Sequence, residues 1–140
     1  MLLPELASYA DWGTLALRVV IGIVFMVHGW PKLTQARAMA AGWGEMMGLS
    51  ARVGYGWLLV HGAVEVGGGV LLIVGALTQL VSLAFIVIML GAIYFKLRVW
   101  KTGFMAQQTT GWELDLVLLA ATALLLLAGP GVYAVMPTPA

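Results

Sequence analysis

Apolar residues persist for the length of a membrane span four times in this chain: Trp12 to Leu33, Gly54 to Leu77, Leu80 to Trp100 and Trp112 to Tyr133. A hydrocarbon core about 30 Å thick is crossed by a helix of about 20 residues. Lipid offers backbone N–H and C=O groups no water, so each run must satisfy them internally as a helix. A membrane barrel would need shorter, alternating segments, and the chain has none. Short connections after the second and third runs make those neighbours antiparallel. The expected fold is an all-α membrane protein: a four-transmembrane-helix antiparallel bundle, with residues 1–140 as one domain.

The remaining sequence fits that frame. Asp11 is the expected N-cap of the first helix, and Pro31 closes or kinks its last turn. Thr34 to Val53 mixes Arg37, Glu45 and Arg52 with Trp43 and three Met, interrupted by glycines. It reads as a broken amphipathic segment at the membrane interface between helices 1 and 2. Thr102 to Gly111 is a polar connection, Gly129-Pro130-Gly131 breaks the last run, and Met136 to Ala140 forms a short tail. No internal repeat is evident.

Composition excludes several function classes. The chain is 62% hydrophobic and 9% charged, against about 45–50% and about 25% in soluble domains. A formal net charge of +1 leaves no surplus of Lys and Arg of the kind a nucleic-acid partner requires. The absence of cysteine removes disulfides, thiolate nucleophiles and Cys-ligated metals. The N-terminus carries Glu5 and Asp11 and no basic run, so the first span is expected to be kept rather than cleaved. Lys32, Arg37, Arg52, Lys96, Arg98 and Lys101 all fall on one side of the bundle. The positive-inside rule places that side in the cytoplasm and both termini on the non-cytoplasmic side of a multi-pass inner (plasma) membrane protein.

Ionisable residues inside apolar spans are costly and mark candidate sites. Arg18, Gly22, Phe25, His28 or Gly29, and Lys32 follow one stripe of the first helix. His61 and Glu65 lie four apart on the second and share a face. Glu65 is too short to reach the interface, so it must find a cation, hydrogen bonds or a proton. Arg18 is the expected counter-charge, as a brace or as part of a site; the alternative is that its long stem carries the guanidinium to the interface. His28 and Glu65 are the candidate catalytic, proton-handling pair. Arg18, Gly29, Lys32, His61 and Glu113 are the candidate ligand-binding residues, with Gly29 allowing close approach of a helix or a ring. Imidazole suits hydrogen bonding to a polar head group such as a quinone carbonyl. Two histidines without supporting acid or thiol spacing give no metal or haem expectation. Asp115, two residues from Glu113, points to another helix face and reads as part of a charged first turn.

Arg18, Gly22, Phe25, His28, Gly29, Lys32 and Leu33 form the pattern R-x3-G-x2-F-x2-H-G-x2-K-L. Glu65, Gly67, Gly68, Gly69, Leu72 and Gly75 follow in the second span; Gly103-Phe104 and Gly111-x-Glu113 in the last connection; Gly129-Pro130-Gly131 near the end. In this order they resemble the DoxX family of small bacterial and archaeal membrane proteins across nearly the whole chain. The tail departs from relatives, which often end in a serine and an acidic residue. The resemblance implies a four-helix inner-membrane protein, some relatives being subunits of thiosulfate:quinone oxidoreductase or of quinol-oxidase assemblies.

Two functions are expected from this. One is a redox-linked subunit of a quinone-dependent oxidoreductase. It would bind a quinone or similar lipophilic small molecule in an intramembrane polar pocket and rely on a protein partner or a homo-oligomer for electrons. The alternative is a non-catalytic structural or assembly subunit, or a small-molecule passage, in which the polar cluster braces the bundle.

Overall fold

The computed structural model describes residues 3–106 and 110–136. Gln107, Gln108 and Thr109 of the polar connection and Pro137 to Ala140 of the tail lie outside these residues. A 3-10 turn, Pro4–Tyr9, leads into α1 (Ala10–Thr34). There follow α2 (Ala36–Met46), α3 (Ala51–Val74), α4 (Thr78–Arg98) and α5 (Trp112–Ala128), and no strand occurs among the described residues. Three stretches are long and apolar enough to cross a membrane: Glu5–Thr34, Ala51–Val74 and Thr78–Arg98. The fourth apolar helix, α5, has 17 residues, a length of about 26 Å.

Several boundaries differ from the sequence expectation. Tyr9, not Asp11, precedes the first turn of α1, and the Asp11 carboxylate accepts from the Val132 amide at 3.3 Å instead. Pro31 sits inside α1 without ending it, and its carbonyl accepts from Gln35 N at 2.8 Å. Ser50 caps α3 by accepting from Val53 N at 3.4 Å, so that helix starts three residues before Gly54. The last run ends at Ala128, not Tyr133, because Gly129 leaves the helical region with φ 77°.

The helices pack as two pairs. In the first, α1 lies against α3 along a track of small residues, with α2 across the basic end. A Cβ on Gly22 would meet the Gly69 carbonyl at 2.7 Å, and one on Gly69 would meet the Gly22 carbonyl at 2.6 Å. Gly29 and Gly62 repeat the approach one register higher, each 3.0 Å from the other's carbonyl in the same sense. Lipid gives helices no hydrophobic drive to associate, so close backbone contact of this kind supplies the attraction. The second pair is α4 with α5.

The pairs meet at one apolar layer. Phe25 of α1 and Phe85 of α4 stack with ring centroids 3.6 Å apart and planes 13° apart, both buried. Ile21, Leu72, Leu118 and Leu125 pack around them. Beyond that layer, towards the basic end, the two pairs stay apart.

Candidate functional site

A cavity of about 830 Å³ lies between the helix pairs, with its polar end on the basic side of the phenylalanine layer and its apolar wall reaching past that layer to Leu80. Its polar end is built by residues at equivalent ends of the two pairs. In the first, Lys32 in the last turn of α1 reaches across to α3 and donates to Glu65 Oε2. In the second, Lys96 near the end of α4 lies 2.7 Å from Asp115 Oδ2 in the first turn of α5. Both bridges line the cavity. Each lysine comes from a helix arriving at the basic end, and each carboxylate from the helix returning from it.

Local sequence explains the placement. Glu65 stands on the buried stripe of α3 with Leu58, Gly62, Gly69 and Leu72, at the three- and four-residue spacing of one helix face. Its side chain is 3% exposed. Asp115 heads the buried stripe Asp115, Leu118, Thr122, Leu125 of α5. A buried carboxylate without a partner would leave its desolvation uncompensated, so each requires its lysine. Lys96 Nζ is further fixed by the Gly111 carbonyl at 3.0 Å and Thr110 Oγ1 at 3.4 Å, which ties the last connection over the cavity.

The histidines stand beside the bridges rather than within them. His61 Nε2 lies 3.5 Å from Glu65 Oε1, too poorly aligned for a hydrogen bond, and both its ring nitrogens are buried without a hydrogen-bond partner. The indoles of Trp57 and Trp43 meet the His61 ring edge-on, with centroids 6.0 and 6.5 Å away. His28 lines the cavity and is exposed to it, with Lys32, Asp115 and Lys96 all in electrostatic range of its imidazole. The polar end therefore offers two neutralised ion pairs, two imidazoles and aromatic walls. It suits an uncharged ring that accepts and donates hydrogen bonds. Among the described residues no three His, Asp or Glu side chains converge as a metal-binding group.

The structure brings His28, Lys32, His61 and Glu65 together around this cavity. Gly29 does not line it: a Cβ there would meet Glu65 Cβ at 2.7 Å, so the glycine serves the α1–α3 contact and seats Glu65.

Arg18 is not the counter-charge of Glu65. It is fully buried near the other end of α1, where its Nη2 donates to the Tyr133 carbonyl. Its Nη1 packs against Gly75, at the carbonyl end of α3, where the helix dipole favours a cation. Val135 N and Met136 N bond the carbonyls of Val74 and Gly75 at 3.0 and 3.2 Å, and Trp12 packs on Tyr133 at 4.4 Å. Arg18 thus belongs to a clasp that holds the segment after α5. Its distance from Lys32, fourteen residues or about 21 Å along α1, explains why it serves a different function.

Glu113 also lies off the cavity wall. It is half-buried against Gly111, behind the Phe104–Trp112 edge contact at 4.6 Å. The acid that reaches Lys96 is Asp115. Lys96 and Asp115 are the residues sequence reasoning passed over, the first read as a topology signal and the second as a helix-end charge. The spacing of Asp115 to Leu118, Thr122 and Leu125 is the signal that distinguishes it from Glu113.

The architecture is that of an integral membrane protein, with apolar helices around an intramembrane cavity closed at one end by paired charges. The DoxX family model matches residues 13–98, and the chain belongs to the DoxX family. It is 36% identical over 126 residues to the putative oxidoreductase CatD of Bacillus subtilis, covering 89% of this chain and 85% of that one. It is 29% identical over 124 residues to the uncharacterized membrane protein Rv3486 of Mycobacterium tuberculosis, covering 84% and 75%. No solved structure matches the chain.

Proposed function

We propose that this protein is a redox-linked subunit that binds the oxygenated ring of a quinone, or a similar lipophilic molecule, at the polar end of the cavity. The observation that carries this reading is the pairing of an apolar, aromatic-walled cavity of about 830 Å³ with two lysine–carboxylate bridges at one end. Ligand sites are mostly apolar concavities with a few placed polar groups, and an uncharged ring with oxygen substituents matches both parts. His28 and the Lys32–Glu65 bridge hold one side of the ring, and Lys96 with Asp115 holds the other. In this reading lysine ammonium and imidazole N–H groups donate to ring oxygens, and His28 and Glu65 take or return a proton. The quinone supplies the redox chemistry. This chain supplies binding, orientation and proton exchange, and electrons pass to or from a partner protein. The name of the Bacillus subtilis relative, a putative oxidoreductase, is consistent with this role.

In the same reading all four apolar helices span the inner membrane as an antiparallel bundle, with the lysine-rich end cytoplasmic and both termini on the other side. A span as short as α5 is accommodated by local thinning of the bilayer and by flanking side chains that reach to the interface, at a modest cost.

One observation favours the competing role of a non-catalytic assembly subunit: each lysine already has its carboxylate, as in a brace. Quinone binding separates the two. Wild-type protein in nanodiscs is expected to bind a benzoquinone, and His28→Ala, Glu65→Gln and Asp115→Asn to weaken it about tenfold or more each. Equal binding by wild type and all three variants would remove these residues from the site. No binding by wild type would leave the brace.

A further inference from the structure

The cavity is much longer than a ring. Its wall on α4 extends from Lys96 down to Leu80, sixteen residues or about 24 Å at 1.5 Å per residue. All the charged groups on that wall lie at the Lys96 end. The rest is aliphatic, and it opens sideways: Val60 on α3 and Leu80 and Val87 on α4 line it, yet each is 63% exposed on the face that meets lipid. A second groove of about 310 Å³ between α3 and α4 shares Val64, Leu80 and Ala84 with the first and continues it to Leu71 and Leu77. Gly67 on the wall of that groove has open space, with nothing within 4 Å of a Cβ. The passage from the polar end therefore runs down between α3 and α4 and faces the bilayer along its length.

From this geometry we infer that the ligand carries its own aliphatic tail, lies with that tail in the α3–α4 groove, and enters laterally from the bilayer. The inference rests on the ring-binding reading above and deepens it, distinguishing a membrane-borne amphiphile from a small water-soluble ring. A soluble ring would use the polar end alone and leave the aliphatic remainder of this wall without a role. A phospholipid is a poor occupant. Lys32 and Lys96 are each neutralised by a carboxylate, so the polar end has no surplus cation for a phosphate, and an uncharged head suits it better. The tail packs more closely on the fixed side chains of the groove wall than among fluid lipid chains, and it confines the head to the depth at which the bridges lie.

The test compares a para-benzoquinone with the same ring bearing a decyl chain. Each is titrated into protein in nanodiscs, with affinities expressed per mole fraction in the membrane so that partitioning cancels. Wild type is expected to prefer the tailed compound by about tenfold or more. Gly67→Leu and Gly67→Phe fill the groove and are expected to reduce that preference progressively while leaving ring binding within about twofold. Gly13→Leu, also at a glycine with open space but away from the groove, is expected to keep it. A folded Gly67→Phe protein, judged by its melting temperature, that retains the full preference overturns the inference. So does equal affinity of wild type for the two compounds, which leaves ring binding intact. A co-purifying phospholipid that native mass spectrometry finds undisplaced by the tailed quinone overturns it as well. Failure of wild type to bind either compound overturns the ring-binding reading itself.

Discussion

The Lys32–Glu65 bridge allows a quantitative prediction because its two partners differ in burial. The Glu65 side chain is 3% exposed and the Lys32 side chain 15%. Removing one member of a buried pair costs about 3–5 kcal/mol, since the remaining charge is left uncompensated. The two single variants should nevertheless differ. In Lys32→Met the Glu65 carboxylate remains in place, with only the poorly aligned His61 nearby, so the cost should approach the upper end of about 3–5 kcal/mol. In Glu65→Gln the freed lysine stands in the last turn of α1, beside the interface. Its long stem lets the ammonium swing to water, which should reduce the loss to about 1–2 kcal/mol. Combining the two removes both charges and should recover most of the stability, to within about 1 kcal/mol of Glu65→Gln. The measurement is reversible unfolding in mixed micelles, followed by loss of helical circular dichroism, for all four corners of the double-mutant cycle. If Lys32→Met is as stable as wild type, or the double variant is less stable than Lys32→Met, Glu65 does not depend on Lys32 and the electrostatic account of the site fails.

Four further outcomes are expected. Arg18→Leu should release the segment from Gly129 to Met136, seen as faster amide exchange at Val135 and Met136, at a cost of about 1.5–3 kcal/mol for a hydrogen bond to a charged donor. Its quinone affinity should remain within about twofold of wild type, because Arg18 is absent from the cavity wall. Gly69→Ala, whose Cβ would meet the Gly22 carbonyl at 2.6 Å, should lower stability by about 1–3 kcal/mol through separation of α1 from α3. By contrast Gly42→Ala in α2, with open space around it, should stabilise by up to about 1 kcal/mol in a melting assay. Asp115→Asn and Glu113→Gln, two residues apart, should differ in ligand titrations: the first weakens quinone binding and the second does not.

The sequence made much of this legible. Long apolar runs fix helices because unpaired backbone groups are too costly in lipid, and four of them leave little choice of secondary structure. Ionisable residues in such runs point inward for the same reason, so His28, Lys32, His61 and Glu65 were identifiable before any coordinates. The periodicity of α5 also held the identity of the inward acid, although adjacent carboxylates in a first turn obscured it. Only the tertiary structure decided which charge meets which. Arg18 and Lys32 both lie on the stripe that faces α3, and a sequence does not state the depth at which two helices cross. That depth is set by Gly22 against Gly69 and Gly29 against Gly62, which brings Lys32 level with Glu65 and leaves Arg18 at the far end of α3. The separation of the two helix pairs is likewise absent from any local pattern. It arises because α1 closes on α3 through glycines while bulky side chains, Phe25 and Phe85 foremost, hold α4 and α5 away, and the cavity is the space that remains.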